Sequence, residues 1–91
     1  MTTPDDSLEL RVLRVIEELL KDRAPGQPPV DTTAVLQRMR LDPDASAEVA
    51  ETMSRLLANG DILGKELRGD NRVLDVTVTA ITEQGLQRLY E

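Results

Sequence analysis

Carboxylates are the side chains of this sequence that could do acid–base chemistry. Two pairs of them stand at adjacent positions, Asp5 with Asp6 and Glu17 with Glu18. Adjacent residues of a helix point in different directions, so neither pair converges on a substrate. The chain has no Cys and no His, which excludes thiolate nucleophiles, imidazole bases and the usual zinc ligands. We therefore expect no enzymatic activity, no metal and no cofactor.

Basic side chains form a second group, because they can bind phosphate. Lys65, Arg68 and Arg72 lie close together in the sequence. Three acids are interleaved with them and bring the local charge to zero: Glu66, Asp70 and Asp75. The basic residues of such a segment either bind phosphate or, together with the acids, only keep an exposed sheet edge soluble and protected from pairing with another strand. The whole chain has 11 Lys and Arg against 17 Asp and Glu, a net charge of −6, which disfavours binding through bulk charge to DNA or an anionic membrane.

The apolar residues are almost all aliphatic, with Tyr90 as the one aromatic. Proteins that bind single-stranded nucleic acid stack its bases on aromatic side chains, so this class of protein is disfavoured. No apolar run approaches the roughly 18–20 residues that span a bilayer, and the start of the chain is acidic where a signal peptide is basic. We expect a soluble cytoplasmic protein, folded as a single domain over residues 1–91.

The elements that position these residues follow from hydrophobic periodicity and turn residues. We expect three helices, at about 7–23, 32–40 and 44–58, a β-hairpin at about 62–81 and a last helix at about 83–90. Asp31, Thr32 or Thr33 caps the second helix, and the proline-rich stretch 24–29 is a loop.

Two faces are predicted in more detail. The exposed side of the third helix is expected to carry Ala47, Glu48, Glu51, Thr52, Arg55 and Ala58. The inner face of the second strand is expected to carry Leu74, Val76, Val78 and Ala80.

Two stretches and the element order resemble the winged helix-turn-helix family. Residues 53–63 (MSRLLANGDIL) are similar to the end of a recognition helix that runs into the first strand of the wing. Residues 81–86 (ITEQGL) are similar to the turn between the wing and a last helix. The resemblance covers nearly the whole chain. Within the family, the sequence most resembles small stand-alone bacterial and phage winged-helix proteins. It implies an α+β winged helix: a three-helix helix-turn-helix core, a β-hairpin wing and a short C-terminal helix.

The resemblance further implies a DNA-binding transcriptional regulator. The third helix would then lie in the major groove, with Thr52 and Arg55 towards the bases, and the wing would place Lys65, Arg68 and Arg72 on phosphates. The sequence departs from the family pattern because Glu48 and Glu51 lie on that helix and would meet the negatively charged DNA. Glu51 and Arg55 could also form an ordinary i,i+4 ion pair.

The alternative is an acidic winged-helix module that binds a protein partner through Glu48 and Glu51 and does not bind DNA. A homodimer is compatible with either function. Leu10, Leu89 and Tyr90 are the candidate dimer contacts. The competing interpretation is that the leucines of the first and last helices close the domain's own core, which we favour for Leu86.

Overall fold

The described part of the chain, residues 4–27 and 29–90 of the computed structural model, holds four α-helices and one antiparallel hairpin. Side chains are described from residue 8 onward. The elements in chain order are α1 (Pro4–Asp22), α2 (Thr32–Arg38), a 3₁₀ turn (Pro43–Ala45), α3 (Ser46–Ala58), β1 (Ile62–Gly69), β2 (Arg72–Ile81) and α4 (Glu83–Tyr90). The α+β class is as predicted, and each element begins and ends within three residues of its predicted position.

The start of α2 is fixed by one side chain and fastened to the hairpin by another. Asp31 caps the helix, because its carboxylate accepts a hydrogen bond from the backbone N–H of Ala34 at 2.8 Å. Thr32 is buried, and its hydroxyl accepts from the backbone N–H of Val76 at 3.0 Å. Its own N–H donates to the carboxylate of Asp75 at 3.1 Å. These contacts hold α2 against β2.

The hairpin closes through a two-residue turn, Asp70 and Asn71, whose φ angles of 47° and 68° are both left-handed. Turns of this kind match the twist of the strands and favour Asn and Asp. The pairing skips one residue of β2 at each of two bulges, first Thr79 and then Leu74.

The second bulge corrects the predicted inner face of β2. Val76 and Val78 are buried as expected, but Leu74 is 46% exposed and Val73 is buried in its place. The extra residue reverses the alternation of side chains between the two faces. Ala80 is only half-buried.

Val30 adds an unpredicted third sheet contact. It forms an isolated antiparallel bridge with Val78, whose N–H donates to the carbonyl of Val30 at 2.6 Å. β2 therefore lies between β1 and the segment that precedes α2.

One aliphatic core joins these elements. α1, α2, α3 and the hairpin all contribute fully buried side chains, the largest of which are Leu13, Ile16, Met53, Leu56 and Ile62. α4 contributes only Leu89, which is half-buried against this core. No helix among the described residues is long and apolar enough to cross a membrane.

Candidate interaction surface

α3 is buried on most of its circumference, because α1, α2 and both strands pack around it. Its exposed residues form a stripe along one side of the helix: Ser46, Ala47, Glu48, Glu51, Arg55 and Ala58. The prediction that Thr52 belongs to this face is wrong. Thr52 is fully buried, and its hydroxyl donates to the carbonyl of Glu48 at 2.8 Å. A buried hydroxyl that is already hydrogen-bonded cannot contact a base.

Arg55, the one cation of the stripe, is held by the protein itself. Its Nε lies 3.7 Å from a carboxylate oxygen of Glu9 on α1, and its Nη2 donates to the hydroxyl of Thr52 at 3.3 Å. The predicted pair with Glu51 does not form. Glu51 turns towards the hairpin instead, where its carboxylate accepts from the N–H of Val73 at 3.3 Å.

The hairpin cations differ in what they contact. Arg68 is paired with Glu66, which also accepts a hydrogen bond from the hydroxyl of Ser54 on α3. The Ser54 hydroxyl and then the Arg68 guanidinium hold the pKa of Glu66 below its ordinary value. Lys65 and Arg72 are exposed and form no ion pair with any side chain in the described residues. Two of the three predicted phosphate contacts are therefore available.

A small hollow lies where the first turn of α3 meets the start of β2. It has a volume of about 130 Å³ and is lined by Ser46, Ala47, Arg72, Val73 and Leu74. Leu74 reaches it because of the bulge, which turns this side chain away from the core. The hairpin exposes two further leucines on β1, Leu63 at 55% and Leu67 at 60%. We call the exposed stripe of α3, this hollow and the exposed side chains of the hairpin the α3–hairpin surface.

Ion pairs and hydrogen bonds join α4 to the rest of the molecule. Asp61, at the α3–β1 junction, is fully buried and forms an ion pair with Arg88 of α4. Gln84 donates to the same carboxylate at 2.9 Å and to the carbonyl of Asn59 at 2.8 Å. Arg88 also lies 3.5 Å from Glu9. The sequence offers no signal for this cluster, because Asp61 and Arg88 are 27 positions apart and on different elements.

The predicted dimer contacts have different surroundings. Leu10 and Leu89 are half-buried, whereas Tyr90 is 68% exposed. The Tyr90 hydroxyl lies 2.7 Å from both carboxylate oxygens of Glu17 and donates to them, which raises the pKa of Tyr90 above its ordinary value. Leu86 was expected in the core but is among the exposed large apolar residues. Of the last helix, Leu89 rather than Leu86 packs on the core.

The comparisons with known proteins yield no match. No family model matches the chain, and neither a curated protein nor a solved structure is significantly similar to it. Function must therefore be argued from the surface itself.

Proposed function

We propose that this chain is a winged-helix domain that binds a protein partner through the α3–hairpin surface. The order of three helices, a hairpin and a last helix supports the winged-helix assignment. So does the isolated bridge from Val30 to Val78, because it ties the segment between the first two helices to the free edge of β2.

One observation carries the choice of a protein partner: the exposed stripe of α3 presents free carboxylate and no free cation. Glu48 is exposed and forms no ion pair with the described side chains, while Arg55 is paired with Glu9, which it shares with Arg88. A helix placed in the major groove would bring these carboxylates against the phosphates, and like charges repel at that distance. A basic segment of a protein would instead be attracted to Glu48 and Glu51.

The hollow beside α3 specifies the partner further. Ala47, Val73 and Leu74 give it an apolar side and Ser46 and Arg72 a polar one, and its volume of about 130 Å³ suits a single aliphatic side chain. A small pocket with an apolar side, bordered by charge, is typical of protein recognition, where a buried anchor supplies most of the affinity. The partner is therefore a segment with Lys or Arg next to an aliphatic anchor.

Selection of random peptides displayed against the immobilised full chain tests this proposal. We expect enriched sequences to combine basic residues with one aliphatic residue. Glu48→Lys should weaken their binding at least about tenfold, since it replaces attraction by repulsion. Glu83→Lys is the matched control, because it makes the same charge reversal at an exposed position of α4, outside the α3–hairpin surface. Peptides without basic residues, or binding indifferent to Glu48→Lys, would refute the proposal.

Duplex DNA is a second candidate ligand, favoured by Lys65 and Arg72, which are exposed on the hairpin and unpaired within the described residues. In that case the hairpin alone would contact the phosphate backbone of the DNA. Removing either residue should then lower the slope of log K against log salt by about one, whereas Arg11→Ala on α1 should not.

A further inference from the structure

The only aromatic residue of the chain is exposed yet already ordered. Tyr90 lies at the end of α4 with 68% of its surface open to solvent. Its hydroxyl is nevertheless anchored to both carboxylate oxygens of Glu17 on α1 at 2.7 Å. A side chain that is ordered before binding loses little entropy on contact, which makes it an efficient anchor.

Two hollows flank the Tyr90 side chain. The first has a volume of about 210 Å³ and is lined by Tyr90 with Arg14, Glu17, Glu18 and Leu89. The second has a volume of about 310 Å³ and is lined by Tyr90 with Glu83, Leu86 and Gln87. Leu86, one turn before Tyr90, adds exposed apolar surface to the second hollow. An exposed aromatic side chain and an open depression beside it thus lie on one continuous face of α4 and α1.

We propose that this α4–α1 face binds the same face of a second copy of the chain. A two-fold interface uses one patch twice, so the patch must contain both the side chain that contacts the partner and the depression that receives it. The α4–α1 face has both. The two α4 helices would run antiparallel, with Tyr90 of each copy in the hollow formed by Leu86 and Gln87 of the partner subunit.

Charge complementarity supports a second copy as the occupant. Arg14 lies beside Tyr90 at one end of α4, and Glu83 lies at the other end. Neither forms an ion pair with a side chain of the described residues. An antiparallel arrangement brings each Arg14 against Glu83 of the partner subunit, so two ion pairs form about the axis. The same geometry separates the two Arg14 side chains from each other.

The size of the patch sets the strength of association. α4 has eight residues and is about 12 Å long at 1.5 Å per residue. A contact of this extent is small for a specific interface, so dimerisation is expected at protein concentrations of roughly 10–100 µM.

Sedimentation equilibrium of the full chain, from roughly 5 to 500 µM, brackets that range and measures the dimer directly. We expect the mass to rise from one copy to two across the series. Tyr90→Ala should raise the dissociation constant at least about tenfold, as removal of a central aromatic anchor does. Leu67→Ala, which removes an exposed leucine from the hairpin, should leave it unchanged. A monomer throughout, or a dimer indifferent to Tyr90→Ala, would overturn the proposal.

Charge reversal tests the antiparallel arrangement in folded protein. Arg14→Glu and Glu83→Arg should each raise the dissociation constant, because both ion pairs become repulsive in each variant's own dimer. An equimolar mixture of the two variants should recover dimer, since both contacts of the mixed dimer join opposite charges. Recovery also shows that both variants are folded. With far-ultraviolet circular dichroism unchanged, failure of the mixture to associate would overturn the proposed arrangement, as would dimers unaffected by either reversal.

Discussion

The α3–hairpin half of the molecule and its α4 end are stabilised by different forces. α3 and the hairpin bury Val49, Met53, Leu56, Ile62, Val76 and Val78. α4 has no fully buried side chain larger than a hydrogen atom, and it is attached through Gln84, Arg88 and Tyr90. Hydrophobic burial changes little with pH, whereas ion pairs and hydrogen bonds to carboxylates weaken when the carboxylate is protonated. The attachment of α4 can therefore weaken while the core stays folded.

A cavity in the core should give the largest effect and should affect both regions together. Leu56→Ala removes a fully buried side chain of α3, and we expect it to lower the free energy of unfolding by about 3 kcal/mol. Leu63→Ala, at an exposed leucine of β1, should change it by less than about 0.5 kcal/mol. Guanidinium chloride unfolding checks both values. Equal losses for the two variants would contradict the described core.

Loss of the buried carboxylate should be the largest effect specific to α4. Asp61→Ala leaves Arg88 without its buried partner, and we expect a loss of about 2 kcal/mol, because Arg88 retains Glu9 and some solvent. Hydrogen exchange should show faster exchange in α4 than in α3 for this variant. Exchange that accelerates uniformly along the chain would show that α4 and the core unfold as one unit.

A smaller loss of stability is expected at Gly85, where α4 packs closely against the backbone of Asp61. A methyl group at Gly85 would overlap the backbone oxygen of Asp61, so Gly85→Ala must move α4 outward. We expect a loss of about 1 kcal/mol, the overpacking penalty reduced by the better helix propensity of Ala. Gln87→Ala, exposed on the same helix, is the control. A stabilised Gly85→Ala variant would contradict the described contact.

The smallest effect is a titration. Because Tyr90 is the only aromatic residue, the near-ultraviolet absorbance of its phenolate reports on the α4 end alone. The hydrogen bond to Glu17 raises the pKa of Tyr90 above 10.0, so this bond stabilises the fold fully below that pH. Its contribution is lost as pH rises through the folded pKa. Glu17→Gln should lower the measured pKa, and an unchanged value would show that Tyr90 is not anchored there.

The elements were predictable from the sequence because they depend on local patterns. Periodicity and turn residues located all four helices and the hairpin within three residues. The predictions were wrong where contacts between residues distant in the sequence determine which side chains are buried. Leu74 is exposed because a bulge shifts β2 against β1, and nothing in the alternation of β2 itself indicates that bulge.

The candidate surface was harder to predict than the fold. Thr52 lies at the edge of the polar arc of α3, and only the packing of neighbouring helices decides that it is buried. The partners of Arg55 and Asp61 come from α1 and α4, so local spacing predicted Glu51 for Arg55 and no partner for Asp61. Glu48, Lys65 and Arg72 were correctly predicted to be exposed, because each lies on the polar side of a strongly patterned element or in a turn.

Binding to random duplex DNA is the most direct test of the claim that the α3–hairpin surface recognises protein. Fluorescence anisotropy of a labelled duplex should be measured with the full chain at about 20 mM and about 150 mM salt, a range over which phosphate contacts lose most of their strength. The repulsion from Glu48 and Glu51 predicts no saturable binding even at the lower salt. Binding that falls with salt, and that Lys65→Ala with Arg72→Ala abolishes, would contradict the account and favour the DNA candidate.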